Sequence, residues 1–325
     1  MTATVELGEI TCPSGELVLM DGGYLRLWSG DRPPEQEGEA DVPPGVDYEI
    51  VGPDADAAAR SFDRQWGRTV YDIPRRSAAE FVGLFDEHCR EHGHDASLRP
   101  FAGQVPHRDR ARRAAAAGDP GFIVSGVPVA VVGGVPADRP LRVTAEPGDD
   151  YGWRHIRIEA GPGPVAHRRE LASIGVDHAR FVFADAGALD EWVHDLPIDG
   201  LADVVFWGRD QDALADELGA PRAGQDGFGW LDLPVADAYP RALDLERRRD
   251  DPAGPKFNFD FRPHSHHWQV MAGVRAAEHE AATIPVGGAE VMFAMTSVGD
   301  GFFPVHAELD ADGALVAVQI SIDAE

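Results

Sequence analysis

The segment FRPHSHHWQVM, residues 261–271, brings His264, His266 and His267 within four positions of one another. Histidines so close together raise the chemistry of metal binding. In an extended strand alternate side chains share a face, so Asn258, Asp260, Arg262, His264 and His266 fall on one side. Phe257, Phe259 and Phe261 fall on the other. A carboxylate and two imidazoles on one face can hold a divalent metal such as zinc, whose nitrogen ligands sit about 2.1 Å from the ion. Glu278, His279, Glu280 or His306 would add a third ligand, and Asp260 or Asp300 would orient a metal-bound water for hydrolysis. Against this, His267 points to the opposite face and Pro263 stands where the strand meets the cluster. The spacing fits neither HExxH nor the HxH-plus-Glu pattern of a cupin. The competing expectation is therefore a hydrogen-bonded histidine surface with no cofactor.

Two other stretches carry groups that could act on a substrate. PSGELVLMDGG (13–23) offers Ser14 and Asp21, and GDGFFPVH (299–306) offers Asp300 and His306. A serine, two aspartates and a histidine are the raw material of nucleophilic hydrolysis. Ser14 lies on no GxSxG elbow, however, and turn formation accounts for all the glycine-flanked residues. DADG (310–313) begins like a calcium loop but lacks the later acidic ligands, so it reads as a hairpin turn. No GxGxxG or GxxxxGK[ST] stands at a strand-to-helix junction, which removes the usual nucleotide-binding signatures.

The same elements carry a resemblance. Pro13, Ser14, Gly15 and Asp21 open the chain, and Thr296, Ser297, Gly299, Asp300, Gly301, Phe303, Pro304 and Val305, followed by DADG, close it. In this the sequence resembles a mostly actinobacterial family of unknown function with an N-terminal PSG…D element and a C-terminal TS-x-GDG-x-FPV…DADG element. Val298 departs from the tryptophan expected at that position. The resemblance carries over no catalytic residues; what it implies is a role of the immunity-factor kind, in which the protein captures another protein.

The elements that must position these residues are of both kinds. ELVLM and YLRLW flank Asp21-Gly22-Gly23 and predict a hairpin. Residues 31–47, with four prolines, predict an exposed loop, and VDYEIVG a strand after it. SAAEFVGLFDEHCREHG (77–93) predicts a helix with a Ser77/Glu80 capping box and a stop at Gly93. Phe81, Leu84, Phe85, His88 and Cys89 share its apolar face, while His92 and His94 suit the negative end of its dipole. FIVSGVPVAVVGGVP, LRVTAE and WRHIRIEAG predict strands. Further on, ARFVFAD and ADVVFWG read as strands, AGALDEWVHD and RDQDALADELG as helices, and PRALDLERRRD as a helix starting near Pro240. GWLDLPV, KFNFDFR, HHWQVMAGV, AEVMFAMTS, FFPVHAEL and ALVAVQISI close the chain as strands with one buried face. The expected class is α+β, mainly antiparallel sheets with several packed helices. GPGP at 161–164 suggests a division into residues 1–165 and 166–325.

Charge narrows the partners. With 56 acidic and 29 basic side chains the formal balance is −27, and Lys256 is the single lysine. Such a surface repels phosphate backbones and anionic lipids, and the arginine group RDRARR (108–113) is outweighed elsewhere, so nucleic acid and membrane are poor partners. A basic protein fits better, although a GC-rich genome would also produce this composition. Two cysteines, Cys12 and Cys89, are too few for a disulfide framework. With no signal-like start and no apolar run of about 20 residues, a cytoplasmic location is expected.

Overall fold

A computed structural model describes residues 4–34, 45–62, 67–117, 121–148, 152–224 and 227–322. The chain starts with β1 (Val5–Ile10) and β2 (Glu16–Asp21), followed by a 3-10 turn over Gly22–Leu27. Next come β3 (Gly45–Val51), α1 (Ala55–Phe62), β4 (Thr69–Pro74), α2 (Ala78–His92) and β5 (Ser97–Pro100). α3 (His107–Ala117) leads into β6 (Gly121–Val124), β7 (Val127–Gly133), β8 (Leu141–Pro147) and β9 (Trp153–Glu159). β10 (His167–Val176), β11 (Arg180–Asp185), β12 (Leu201–Trp207), α4 (Gln211–Leu218) and β13 (Phe228–Pro234) follow. Then come α5 (Val235–Asp250), β14 (Asn258–Pro263) and α6 (His266–Ala276). β15 (Ala281–Val286), β16 (Ala289–Met295), β17 (Gly301–Leu309) and β18 (Leu315–Ser321) complete the order. Each pairing between these strands is antiparallel, and the class is α+β as expected.

The division does not fall at residue 165. One unit is 1–192 together with 273–325, and the other is 193–272. The physical reason is the first sheet, ordered β1-β8-β9-β18-β17-β10, which takes strands from both sides of GPGP. The second sheet, β15-β16-β11-β2-β7-β6, mixes the two halves of the chain in the same way. Alternation then builds the core of the larger unit. Ile10, Leu141, Val143, Ile156, Ile158 and Ile320 of the first sheet meet Leu17, Leu19, Phe181, Phe183 and Met292 of the second. Each such side chain, once buried, stabilises the sandwich by roughly 1.5–3 kcal/mol. α1 and α2 cover a third sheet, β4-β3-β5, on a core that includes Tyr48, Ile50, Val70, Phe85 and Cys89.

One arginine of RDRARR lies inside the protein. Arg110 is wholly buried, and its guanidinium donates to Asp72 at 2.8 and 2.9 Å, to Asp47 at 3.3 Å and to the carbonyls of Val105 and Ile123. It also stacks over Tyr71, 4.3 Å from the ring centre. Burial pulls against the charge on Asp72, but the hydrogen bonds and charge of Arg110 prevail and hold that carboxyl below its ordinary range. The neighbouring His107 goes the other way: burial, then the Arg110 charge, lowers it to about 3, so it is neutral and its Nδ1 accepts from the Ser29 N–H.

In the smaller unit β13-β12-β14 form a three-stranded sheet. Ala202, Val204 and Phe206 of β12, Phe257, Phe259 and Phe261 pack with Leu214, Ala238 and Leu245 of α4 and α5. Asp203, Asp260 and Arg262 alternate with these residues and belong to the opposite face.

Several sequence expectations are corrected locally. YLRLW is a 3-10 turn and not the second arm of a hairpin, because Asp21 caps it by accepting from the Gly23 N–H at 2.6 Å. Ser77 precedes α2 without the capping hydrogen bond, its hydroxyl donating to the Pro74 carbonyl at 3.3 Å. AGALDEWVHD is helical only as a 3-10 turn over Ala188–Glu191. α5 begins at Val235, five residues before Pro240, which sits inside it. Of the expected loop 31–47, residues 35–44 lie outside the described residues, and Gly45–Val51 is strand. HHWQVMAGV is the start of α6 and not a strand: Ser265 accepts from the Trp268 N–H through its hydroxyl at 3.1 Å and from the Gln269 N–H through its carbonyl at 3.0 Å. That is an N-cap, and it turns the chain out of the extended conformation.

Candidate metal centre

His264 therefore follows β14 and precedes α6, outside both. Its backbone is fixed on each side: its N–H donates to the Leu201 carbonyl, and its carbonyl accepts from the Ile198 N–H, both at 3.0 Å. The imidazole lies between carboxylates. Nδ1 is 3.0 Å from Asp199 Oδ2, and Nε2 is 3.0 Å from Asp203 Oδ1 and 3.9 Å from Asp232 Oδ1.

A β-bulge gathers these acids. Ala202 pairs with Leu233 and Val204 with Trp230, so Leu231 and Asp232 together face Asp203. Asp232 takes a left-handed φ of 53°, and its N–H donates to Asp203 Oδ1 at 2.9 Å. A non-glycine residue in that region is held there at a cost of order 1 kcal/mol or more, a strain often found at functional sites. Asp203 is buried within an apolar strand, whereas Asp232 is open to solvent. One ligand atom from each of Asp203, Asp232 and His264 lies within 4.8 Å of the others, the one such group among the described residues.

Electrostatics favours the charged form of the ring. Burial disfavours the imidazolium, yet the hydrogen bonds and charges of Asp203 and Asp199 outweigh it and raise His264 above 6.5. Asp199 is lowered: burial opposes its charge, but the Leu201 N–H and His264 favour it. With Asp199 accepting the Nδ1 proton, Nε2 is the nitrogen aimed at the other two carboxylates. A histidine whose far nitrogen is held by a carboxylate is the usual orientation of a metal ligand.

The other residues singled out in the sequence are not gathered here. His266 opens α6, where its Nδ1 accepts from the Val193 N–H at 3.0 Å. His267 stacks on His194, with ring centres 4.2 Å apart. Asp260 binds Arg262 at 2.7 Å, and Arg262 lies over Trp268 at 4.7 Å, so Asp260 takes no place in the cluster. The expected i, i+2 pair of histidines is thus replaced by one histidine and two aspartates.

Asp21, Asp300 and His306 belong to the larger unit and hold structure there. Asp21 Oδ2 accepts from the Asp177 and His178 N–H groups at 2.6 and 2.9 Å, and Asp300 Oδ1 accepts from the Ala179 N–H at 2.9 Å. The DGG and GDG elements thereby meet at a single turn between β10 and β11. Ser14 donates to Asp185 at 2.6 Å. His306 accepts from Arg168 at 3.3 Å, and burial, then the charge of Arg168, lowers its pKa. DADG is a hairpin turn, with Gly313 at φ 82° and Asp310 accepting from the N–H groups of Asp312 and Ala314.

Sequence reasoning missed Asp199, Asp203 and Asp232. One signal was present: in ADVVFWG, Asp203 is a carboxylate within an otherwise apolar strand, and a buried acid needs a partner. Comparison with protein-family models, curated proteins and solved structures found no match.

Proposed function

We propose that this protein is a divalent-metal protein, with His264 Nε2, Asp203 and Asp232 as ligands and Asp199 as the group that orients His264. The observation that carries the reading is the convergence of those three ligand atoms within 4.8 Å at a ring already fixed from its far side. One nitrogen and two carboxylates suit Mn²⁺ or Zn²⁺. Three protein ligands leave coordination positions for water, and Asp232 opens the site to solvent. A metal-bound water of lowered pKa is a nucleophile at neutral pH, which makes hydrolysis the chemistry such a site supplies.

The deciding experiment is calorimetric titration of the chelator-treated protein with Mn²⁺, repeated on His264→Gln, Asp203→Asn and Asp199→Asn. Binding that is lost in the first two and weakened by roughly 10–100-fold in the third supports the assignment. Equal binding in all four proteins, or none in the wild type, overturns it.

A second reading rests on a different observation, the formal charge of −27. In it the protein is a cytoplasmic binding protein whose acidic surface captures a basic protein, in the manner of an immunity factor. No helix among the described residues is long and apolar enough to cross a membrane. Pull-down at low salt, with release of the bound protein at moderate salt, would support capture; a salt-independent set of bound proteins would count against it.

A further inference from the structure

A group of three histidines stands at the end of α2, far along the sequence from His264 and independent of it; their ligand atoms do not all lie within 4.8 Å of one another as the rings stand, so an ion would have to draw them together. His88 and His92 are four residues apart, so they share one face of the helix. Their rings stack with centres 4.1 Å apart. Gly93, at φ 71°, ends the helix in the left-handed conformation, and the His94 N–H returns to the Cys89 carbonyl at 2.9 Å. That reversal brings the His94 ring to 6.2 Å from His88 and 6.0 Å from His92. α1 supplies a fourth polar group. Ser61 Oγ lies 2.7 Å from His88 Nε2 and 3.1 Å from His94 Nε2.

Capping of a helix dipole would call for one cationic residue at this end, not three imidazoles in contact. Protonated, they would repel one another. Burial, then the charges of His92 and His94, lowers the pKa of His88. The nitrogens are also oriented. His92 donates Nδ1–H to the His88 carbonyl at 3.0 Å and so leaves its Nε2 lone pair open, the arrangement in which a backbone carbonyl orients a ligand. His88 and His94 turn their Nε2 atoms toward one point, the position of the Ser61 hydroxyl. His92 is exposed and the other two are half-buried, so an ion can reach the group and the rings can close on it.

The surroundings favour a cation. The last-turn carbonyls of α2 carry the negative end of the helix dipole, and the whole chain is strongly acidic. The donor set decides which cation: three imidazoles suit late first-row ions and give little to Mg²⁺ or Ca²⁺, which prefer oxygen.

We infer that His88, His92 and His94 form a binding site for a late first-row divalent metal, Cu²⁺, Ni²⁺ or Zn²⁺, at the junction of α1 and α2. The site differs from the one at His264 in ligands and in metal preference, and it stands whether or not that one does.

The test is titration of the full-length His264→Gln protein with Ni²⁺, followed by calorimetry, beside the same protein carrying His92→Gln and His94→Gln. One equivalent bound in the first and little or none in the second is the expected result. Cu²⁺ added to the wild type should give an electron paramagnetic resonance spectrum with nitrogen hyperfine structure that disappears in His92→Gln/His94→Gln. Because His92 is exposed, the single variant His92→Gln should keep the wild-type thermal midpoint while losing most of its Ni²⁺ affinity. Ni²⁺ affinity and Cu²⁺ spectra unchanged by these substitutions would overturn the inference.

Discussion

At His264 two carboxylates hold one imidazole, and in the proposed centre a metal ion would compete with them for it. Without metal, Asp199 and Asp203 raise the ring above 6.5, its ordinary value in the unfolded chain. The stabilisation from that charged ring is complete below the unfolded value and is lost as pH rises through the folded one. The chelator-treated protein should therefore become less stable as pH is raised above about 6.5, and His264→Gln should flatten that slope; thermal midpoints on both sides of that pH would check both. A bound metal takes Nε2 in its deprotonated form, so with Mn²⁺ present the trend should reverse. A midpoint that ignores pH in the metal-free protein would remove the carboxylate–imidazole coupling. Arg110 raises a different question, because its charge is buried among two aspartates. Arg110→Leu leaves Asp47 and Asp72 without their cation and should destabilise the larger unit by about 3–5 kcal/mol, measurable as a fall in its urea midpoint. In the sequence this residue is one arginine among four in RDRARR. Its partners Asp47 and Asp72 lie 63 and 38 positions away, and nothing local separates it from the other three arginines.

Among the elements, those marked by apolar alternation or a short apolar run were legible and those decided by a cap were not. FFPVHAEL alternates and forms β17, while AEVMFAMTS and ALVAVQISI carry apolar runs and form β16 and β18, buried on both faces. In α2 the apolar spacing and Gly93 gave both the helix and its end. HHWQVMAGV could be read either way by spacing, and what decides it is Ser265, a hydroxyl at the position before the segment that satisfies the first-turn N–H groups. Spacing without that serine puts His264 and His266 on one strand face, and the structure has His266 in a helix instead. The candidate centre was half legible for the same reason: its histidine stood out, while its acids arrive through the pairing of β12 with β13 and a bulge, which no short window contains. Ser265→Ala should lower stability by about 1 kcal/mol in chemical denaturation. It should leave Mn²⁺ affinity unchanged, since the backbone of His264 is held by Leu201 and Ile198 and not by the cap. A variant that lost the metal along with the cap would show that α6 positions the ligand.

On the scale of the whole molecule the acidic excess acts in two opposite directions. Many of the arginines are already engaged by carboxylates, Arg142 by Glu159 at 2.8 Å, Arg157 by Glu308 at 2.7 Å and Arg248 by Glu217 at 2.8 Å, so the remaining field belongs largely to acids. Like charges on a folded surface repel, which weakens the compact state, while the same field draws a basic protein inward and speeds encounter. Salt screens both effects. Between about 0.01 M and about 0.15 M ionic strength the screening length falls from about 30 Å to about 8 Å, shorter than the spacing of charges across a domain. Over that range the thermal midpoint should rise, because repulsion is relieved. Association with a basic protein should slow over the same range, with most of the change in the on-rate and little in dissociation. Thermal scans and stopped-flow association under matched salt conditions test the pair together. A midpoint that rises while association stays constant would mean that the charge serves solubility alone, and the capture reading would fail with it.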